Sequence, residues 1–132
     1  MRGAKPKLEA IAGGLSRLPP APAWLPSEAK SEWRRVVPGL RERKTITRQD
    51  LQVLEAYCLA CGLVRSSQKI IAAEGDMIET TRGEKKRHPA HQTLFQALTE
   101  SRRLAAELGL TPASRNKAPI AEDDDDLSDL DL

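Results

Sequence analysis

A chain of 132 residues with one Phe, one Tyr and two Trp has room for one small core, and that core must rest on Leu, Ile, Val and Ala, a mixture suited to helix packing. No run of 18 apolar residues and no charged-then-apolar leader is present, so nothing points to membrane insertion or secretion, and the two Cys residues give no disulfide framework. The formal net charge of +2 hides an asymmetry: Glu122, Asp123, Asp124, Asp125, Asp126, Asp129 and Asp131 leave 21 basic against 12 acidic residues in 1–121, a net of +9, which favours a polyanionic partner.

In chain order, residues 1–26 read as a basic, Pro-rich, flexible arm carrying Arg2, Lys5 and Lys7, because Pro19, Pro20, Pro22 and Pro26 bar a helix and favour an extended linker. Ser27 reads as the N-cap of a helix running to about residue 43, with Trp33, Val36, Val37 and Leu40 on its apolar side and a kink at Pro38. Lys44 to Ile46 is a short connection, which predicts an antiparallel neighbour.

That neighbour is the stretch Thr47 to Gly75. Leu51, Leu54, Cys58 and Cys61 form one stripe, and Val53, Tyr57, Ala60, Val64 and Ile71 a second beside it. Thr47 and Asp50 have the spacing of a capping box and Gly75 a stop, predicting a helix of about 28 residues and ~40 Å. Gly62 costs up to ~1 kcal/mol there relative to Ala and marks close packing or a bend.

Ile78, Thr80 and Thr81, followed by Arg82-Gly83, predict a β-hairpin whose second arm carries Lys85, Lys86 and Arg87. Pro89 then opens a third helix to about residue 108, with Leu94, Leu98, Ala105 and Leu108 on one face. Gly109 ends it in a left-handed cap, Thr111-Pro112 starts a final short turn, and 117–132 reads as a disordered acidic tail. The fold expected is all-α: an antiparallel pair plus a C-terminal helix, with a small hairpin. Residues 27–116 form the domain.

No nucleophile, base and orienting group can be assembled, and no phosphate-binding loop is present, so the sequence predicts no enzyme and no cofactor. Cys58 and Cys61 with His88 and His91 invite a zinc reading. The cysteines lie on an apolar helical stripe, where free Cys behaves as a small hydrophobe, and the His spacing is short for a finger, so no metal site is expected. Candidate DNA contacts are Arg2, Lys5 and Lys7 on the arm, Arg34 and Arg35 on the first helix, and Arg82, Lys85, Lys86 and Arg87 on the hairpin. Apolar area beyond what three helices can bury predicts a closed homo-oligomer, with Trp33, Leu54, Tyr57, Leu94 and Leu98 as interface candidates. In the tail, Asp123, Asp124, Asp125, Asp126, Leu127 and Leu130 have the character of a segment that folds onto a basic groove of a partner.

The runs EAKSEWRRVVPGL (Glu28 to Leu40) and RRLAAELGLTPASR (Arg102 to Arg115) resemble phage terminase small subunits, in the group whose N-terminus also reads like Arg2 to Lys7 here. DLQVLEAYCLAC (Asp50 to Cys61) stands where that family has its long helix, and Arg82-Gly83 and His88-Pro89-Ala90 stand where it has a turn and an Asn-Pro-Ala helix entry. The departures are His88 for the usual Asn, a shorter proline linker, and the acidic tail. The resemblance implies a non-catalytic packaging component in the host cytoplasm. It would assemble into a ring, recognise the packaging site on double-stranded viral DNA, and hand DNA to the large subunit that holds the ATPase and nuclease. Two alternatives stand beside it: a small helical transcriptional regulator with a helix-turn-helix, and an adaptor acting through its acidic tail.

Overall fold

The structure, a computed structural model, describes residues 13–117. The expected contacts at Arg2, Lys5 and Lys7 and residues 118–132 of the acidic tail lie outside the described residues, while Lys117 closes α4. Helix α1 spans Ser27–Arg43, a single 3-10 turn Arg48–Asp50 leads into α2 (Leu51–Glu74), strands β1 (Met77–Glu79) and β2 (Lys85–Arg87) follow, then α3 (Ala90–Glu107) and the short α4 (Pro112–Lys117). Helix α2 is the shared wall, with α1 and α3 both packed on it. The all-α layout with one two-stranded antiparallel hairpin is as the sequence predicts.

Helix α1 begins at the residue expected to cap it, so the boundary lies one residue earlier. Pro26, at φ −61° and ψ 160°, is the extended boundary residue, and its carbonyl accepts the Lys30 N–H at 2.9 Å, so Ser27 is already the first helical residue. Pro38 lies inside the helix, which continues to Arg43 and ends where Lys44 turns left-handed (φ 56°) and its N–H donates to the Leu40 carbonyl at 3.0 Å. At the next start, the Asp50 carboxylate accepts both the Thr47 N–H (2.9 Å) and the Thr47 hydroxyl (3.0 Å). The capped residues form the 3-10 turn, and the α-helix proper begins at Leu51. Its 24 residues span ~36 Å.

Gly62 explains how close α1 and α2 come. A Cβ there would lie 3.0 Å from the Ala29 backbone nitrogen and 3.2 Å from the Ala29 Cβ, so the glycine marks backbone contact between the two helices. From that crossing the core extends through Leu25, Trp33, Val36 and Leu40 of the α1 region, Ile46, Leu54, Tyr57 and Cys58, and closes on Leu104 of α3 and Leu108 just after it. The Pro-rich segment is joined to this body at several points. The Trp33 indole N–H donates to the Pro19 carbonyl at 3.1 Å, the Leu15 N–H to the Ile46 carbonyl at 2.7 Å, and Leu25 is buried. An extended proline stretch leaves its carbonyls unpaired, which makes them available to a partner such as the indole.

The C-terminal end of α3 carries a full left-handed cap. Gly109 (φ 73°) donates to the Ala106 carbonyl at 3.2 Å and Leu110 to the Ala105 carbonyl at 2.9 Å, which folds Leu110 back against the core. Thr111 then accepts the Ser114 N–H (3.1 Å) while its own N–H donates to the Ser114 hydroxyl (3.2 Å), a reciprocal cap that starts α4.

Candidate nucleic-acid interface

The hairpin follows the C-terminal end of α2 and leads directly into α3. Met77 pairs with Arg87, Ile78 with Lys86 and Glu79 with Lys85 in antiparallel register. Its tip is closed by Thr80, whose hydroxyl accepts the Arg82 and Glu84 N–H groups (3.3 and 3.2 Å), and by Gly83 at φ 85°, where a side chain would be strained. Alternation puts Met77 and Arg87 on one face with Glu79 and Lys85, and Ile78 and Lys86 on the other. Arg82, Lys85, Lys86 and Arg87 are all exposed.

Two histidines clamp the foot of this hairpin. His88 Nε2 lies 2.7 Å from Glu74 Oε1 at the end of α2, and its Nδ1 accepts the Ala90 N–H, the first of α3, at 3.0 Å. A backbone N–H can only donate, so Nδ1 carries the lone pair and Nε2 the proton given to Glu74. One ring therefore ties α2 to α3. The His88 N–H itself donates to the Asp76 carbonyl (2.7 Å), and His91 Nε2 meets Asp76 Oδ1 at 3.2 Å. His91 stacks on Phe95 with ring centroids 6.3 Å apart, and the Arg87 guanidinium sits over the same Phe95 ring at 5.4 Å. Phe95 and Met77 remain half exposed, at 52% and 51%. The site is a short basic strand on a fixed base, flanked by an aromatic ring and a thioether. Sequence alone places the cations but not the clamp, whose only signal is the His-Pro-Ala entry to α3.

The two helical arginines divide. Arg34 and Arg35 are both exposed, but Arg35 is also bound to Glu32, with its Nε and Nη2 donating to the carboxylate at 3.0 and 2.5 Å. Glu32 is only 3% exposed and also accepts the Tyr57 hydroxyl at 2.6 Å. Burial pushes its carboxyl up, but the hydrogen bonds from Arg35 and Tyr57 outweigh this and hold it below the usual carboxylate range. The same bond to Glu32 raises Arg35 further above its ordinary value. Arg35 thus neutralises an interior charge first.

The expected interface residues also divide. Trp33, Leu54 and Tyr57 lie in the subunit's own core, so their burial is accounted for without a second copy, and the apolar stripe that flagged them is covered by α1, the linker and α3. Leu94 and Leu98 on α3 are partly exposed. An open groove of about 330 Å³ runs between α2 and α3, lined by Leu59, Leu63, Ala97 and Leu104 with Glu100 and Arg103 at its rim. Leu63 and Ile70 are exposed on α2.

Cys58 is fully buried and burial pushes its thiol up to about 12, while Cys61, half-buried, is raised as well. Among the described residues no group of three or more His, Cys, Asp or Glu stands together as a metal site needs, and no helix is long and apolar enough to cross a membrane. The profile of the family described as phage terminase, small subunit, matches residues 29–125.

The chain belongs to the phage terminase small-subunit family. That membership gives it a role in phage DNA packaging. No curated protein and no solved structure gives a match. The matched span of this small subunit takes in the Glu32 network, the hairpin and both helix entries.

Proposed function

We propose that this terminase small subunit works in the host cytoplasm as a non-catalytic homo-oligomeric ring, binds double-stranded viral DNA at the packaging site, and delivers it to the large ATPase and nuclease subunit, which it regulates. The observation that carries the DNA reading is the exposed Lys85–Arg87 strand clamped at its foot by His88 and His91. A rigid basic strand presents its charges to phosphates without first losing loop entropy, and Lys and Arg at phosphates release condensed counterions. Arg82 extends the positive edge at the hairpin tip, and Arg2, Lys5, Lys7 and Arg34 add to it from the arm and α1. Assembly draws on Leu63, Ile70, Leu94 and Leu98, apolar surface that the single subunit leaves uncovered or only partly covered. The acidic segment with Leu127 and Leu130 is the contact to the large subunit.

The test is duplex binding across a salt series for the protein and for Lys85→Ala/Lys86→Ala/Arg87→Ala. Each lost phosphate contact lowers the slope of log affinity against log salt by ~0.9, so the triple variant loses ~2 to 3 units of slope. Unchanged affinity and slope would overturn the hairpin assignment.

A further inference from the structure

The chain has one Phe, and it stands away from the core. On α3 the buried residues Ala90, Ala97 and Leu104 recur every seven positions and mark the inward face. Phe95 comes two positions before Ala97, which at ~100° per residue puts it ~160° round the helix from that face, and 52% of it is exposed. The ring is nonetheless held. His91, one turn earlier, stacks on it with centroids 6.3 Å apart, and His91 is itself fixed through Nε2 to Asp76 Oδ1 at 3.2 Å. Arg87 stands over the ring at 5.4 Å. A cation–π contact draws on the guanidinium's charge and none of its N–H donors, so it does not compete with a phosphate for them.

Beside the ring is an open recess of about 390 Å³, walled by Arg87, Pro89, His91, Gln92, Phe95 and Gln96. Its volume falls within the ~300–1,000 Å³ of small-ligand sites and suits one planar heterocycle. The walls match a nucleobase: an aromatic face to stack on, the exposed amides of Gln92 and Gln96 to donate to and accept from a base edge, and a cation for the phosphate next to it. An apolar side chain that wedges between base steps has to protrude, whereas Phe95 lines a recess, so the base must come to the ring. We propose that Phe95, backed by His91, is a stacking platform for an unpaired DNA base whose flanking phosphates lie on Lys85, Lys86 and Arg87. Arg87 is exposed, and turns from the ring to a phosphate as the base takes its place. This rests on the DNA reading of the hairpin and deepens it: the site prefers DNA with a displaced base over fully paired DNA, a preference that phosphate contacts alone do not give.

The experiment compares three DNAs of one sequence: the fully paired duplex, the duplex with one unpaired base, and the single strand. Each is titrated with the full-length protein, Phe95→Ala and Phe95→Trp. The parent should favour DNA with an unpaired base, and Phe95→Ala should lose ~5- to 150-fold there, the range of one lost base–aromatic stack, while changing paired-duplex affinity less than ~2-fold. Phe95→Trp should keep the preference. Tighter binding of the bulged duplex than of the single strand marks a displaced nucleotide as the source of the base, and the reverse order an open strand. With iodouracil at the unpaired position, irradiation should crosslink the peptide carrying Phe95, located by mass spectrometry. Equal losses on paired and unpaired DNA, or no loss on either, would overturn the platform. So would a change of subunit number in Phe95→Ala without DNA, which would make the ring a contact between copies. Phe95 carries no charge, so its loss leaves the salt slope unchanged. The hairpin reading fails instead on the slope of the Lys85, Lys86 and Arg87 triple variant, so the two failures are read from different proteins.

Discussion

Replacing Gly62 by Ala sets two effects of opposite sign against each other. In an exposed helix the change would stabilise by ~1 kcal/mol, because Ala loses less backbone entropy. Here the new methyl would stand 3.0 Å from the Ala29 nitrogen, 3.3 Å from its Cα and 3.2 Å from its Cβ, and two of these are backbone atoms that no rotamer change can move. Helix α1 must shift as a unit, and overpacking of this kind costs ~1–3 kcal/mol. The net expectation is destabilisation of ~0 to 2 kcal/mol, and for a domain of this size each kcal/mol lowers Tm by ~4–8 °C. Urea denaturation followed by far-ultraviolet circular dichroism reads the stability at fixed subunit concentration. Trp33 lies one turn beyond Ala29 and donates to Pro19, so displacement of α1 should also blue-shift or quench its emission differently from the exposed Trp24. A Gly62→Ala protein more stable than its parent would refute the close crossing of α1 and α2. Ala29→Gly in the Gly62→Ala background should restore part of the loss and not all of it, since the 3.0 Å contact to the backbone nitrogen persists.

Tyr57→Phe removes the 2.6 Å donor to buried Glu32 and should cost ~1–3 kcal/mol at neutral pH. Because the folded Glu32 carboxyl is held below its ordinary value of 4.5, its contribution is fully present above that value and is lost as pH falls through the lower folded value. The deficit of Tyr57→Phe should therefore shrink on acidification, and a pH-independent difference would refute the account. At the hairpin foot, His88→Asn keeps an acceptor for the Ala90 N–H, whereas His88→Ala leaves it unanswered. The Ala variant should lose ~1 kcal/mol and the Asn variant less, read by thermal melts, and equal losses would show that the cap is not what His88 contributes.

Local chemistry was legible wherever a residue speaks for its own backbone. Gly109, Thr111-Pro112, Arg82-Gly83 and the Thr47 to Asp50 spacing each specify a turn or cap through φ or a donor count, and each stands where the sequence placed it. What a residue faces across the fold was not legible. Nothing in the sequence marks Glu32 as buried, and its burial depends on Tyr57, 25 positions away, and on Arg35 beside it. Trp33, Leu54 and Tyr57 were visible as an apolar stripe, but periodicity does not say whether the covering surface belongs to the same subunit. His88 was noticed as a departure from Asn and as a member of a zinc set that was set aside, and its use becomes clear only once Glu74 is brought to its other nitrogen.

The hairpin's foot has a mechanical consequence. Each strand is three residues long, and the base is held by Glu74 from one helix and by the first N–H of another, so the strand pair has little leverage to swing independently of α2 and α3. Its cations therefore move as teeth cut into a wheel move, only when the wheel does. In any assembly of identical copies their pitch is fixed by how the helices of neighbouring subunits are spaced. On the proposed assembly, a substitution on α3 that shifts neighbouring subunits would alter the spacing of these cations while leaving every hairpin residue untouched.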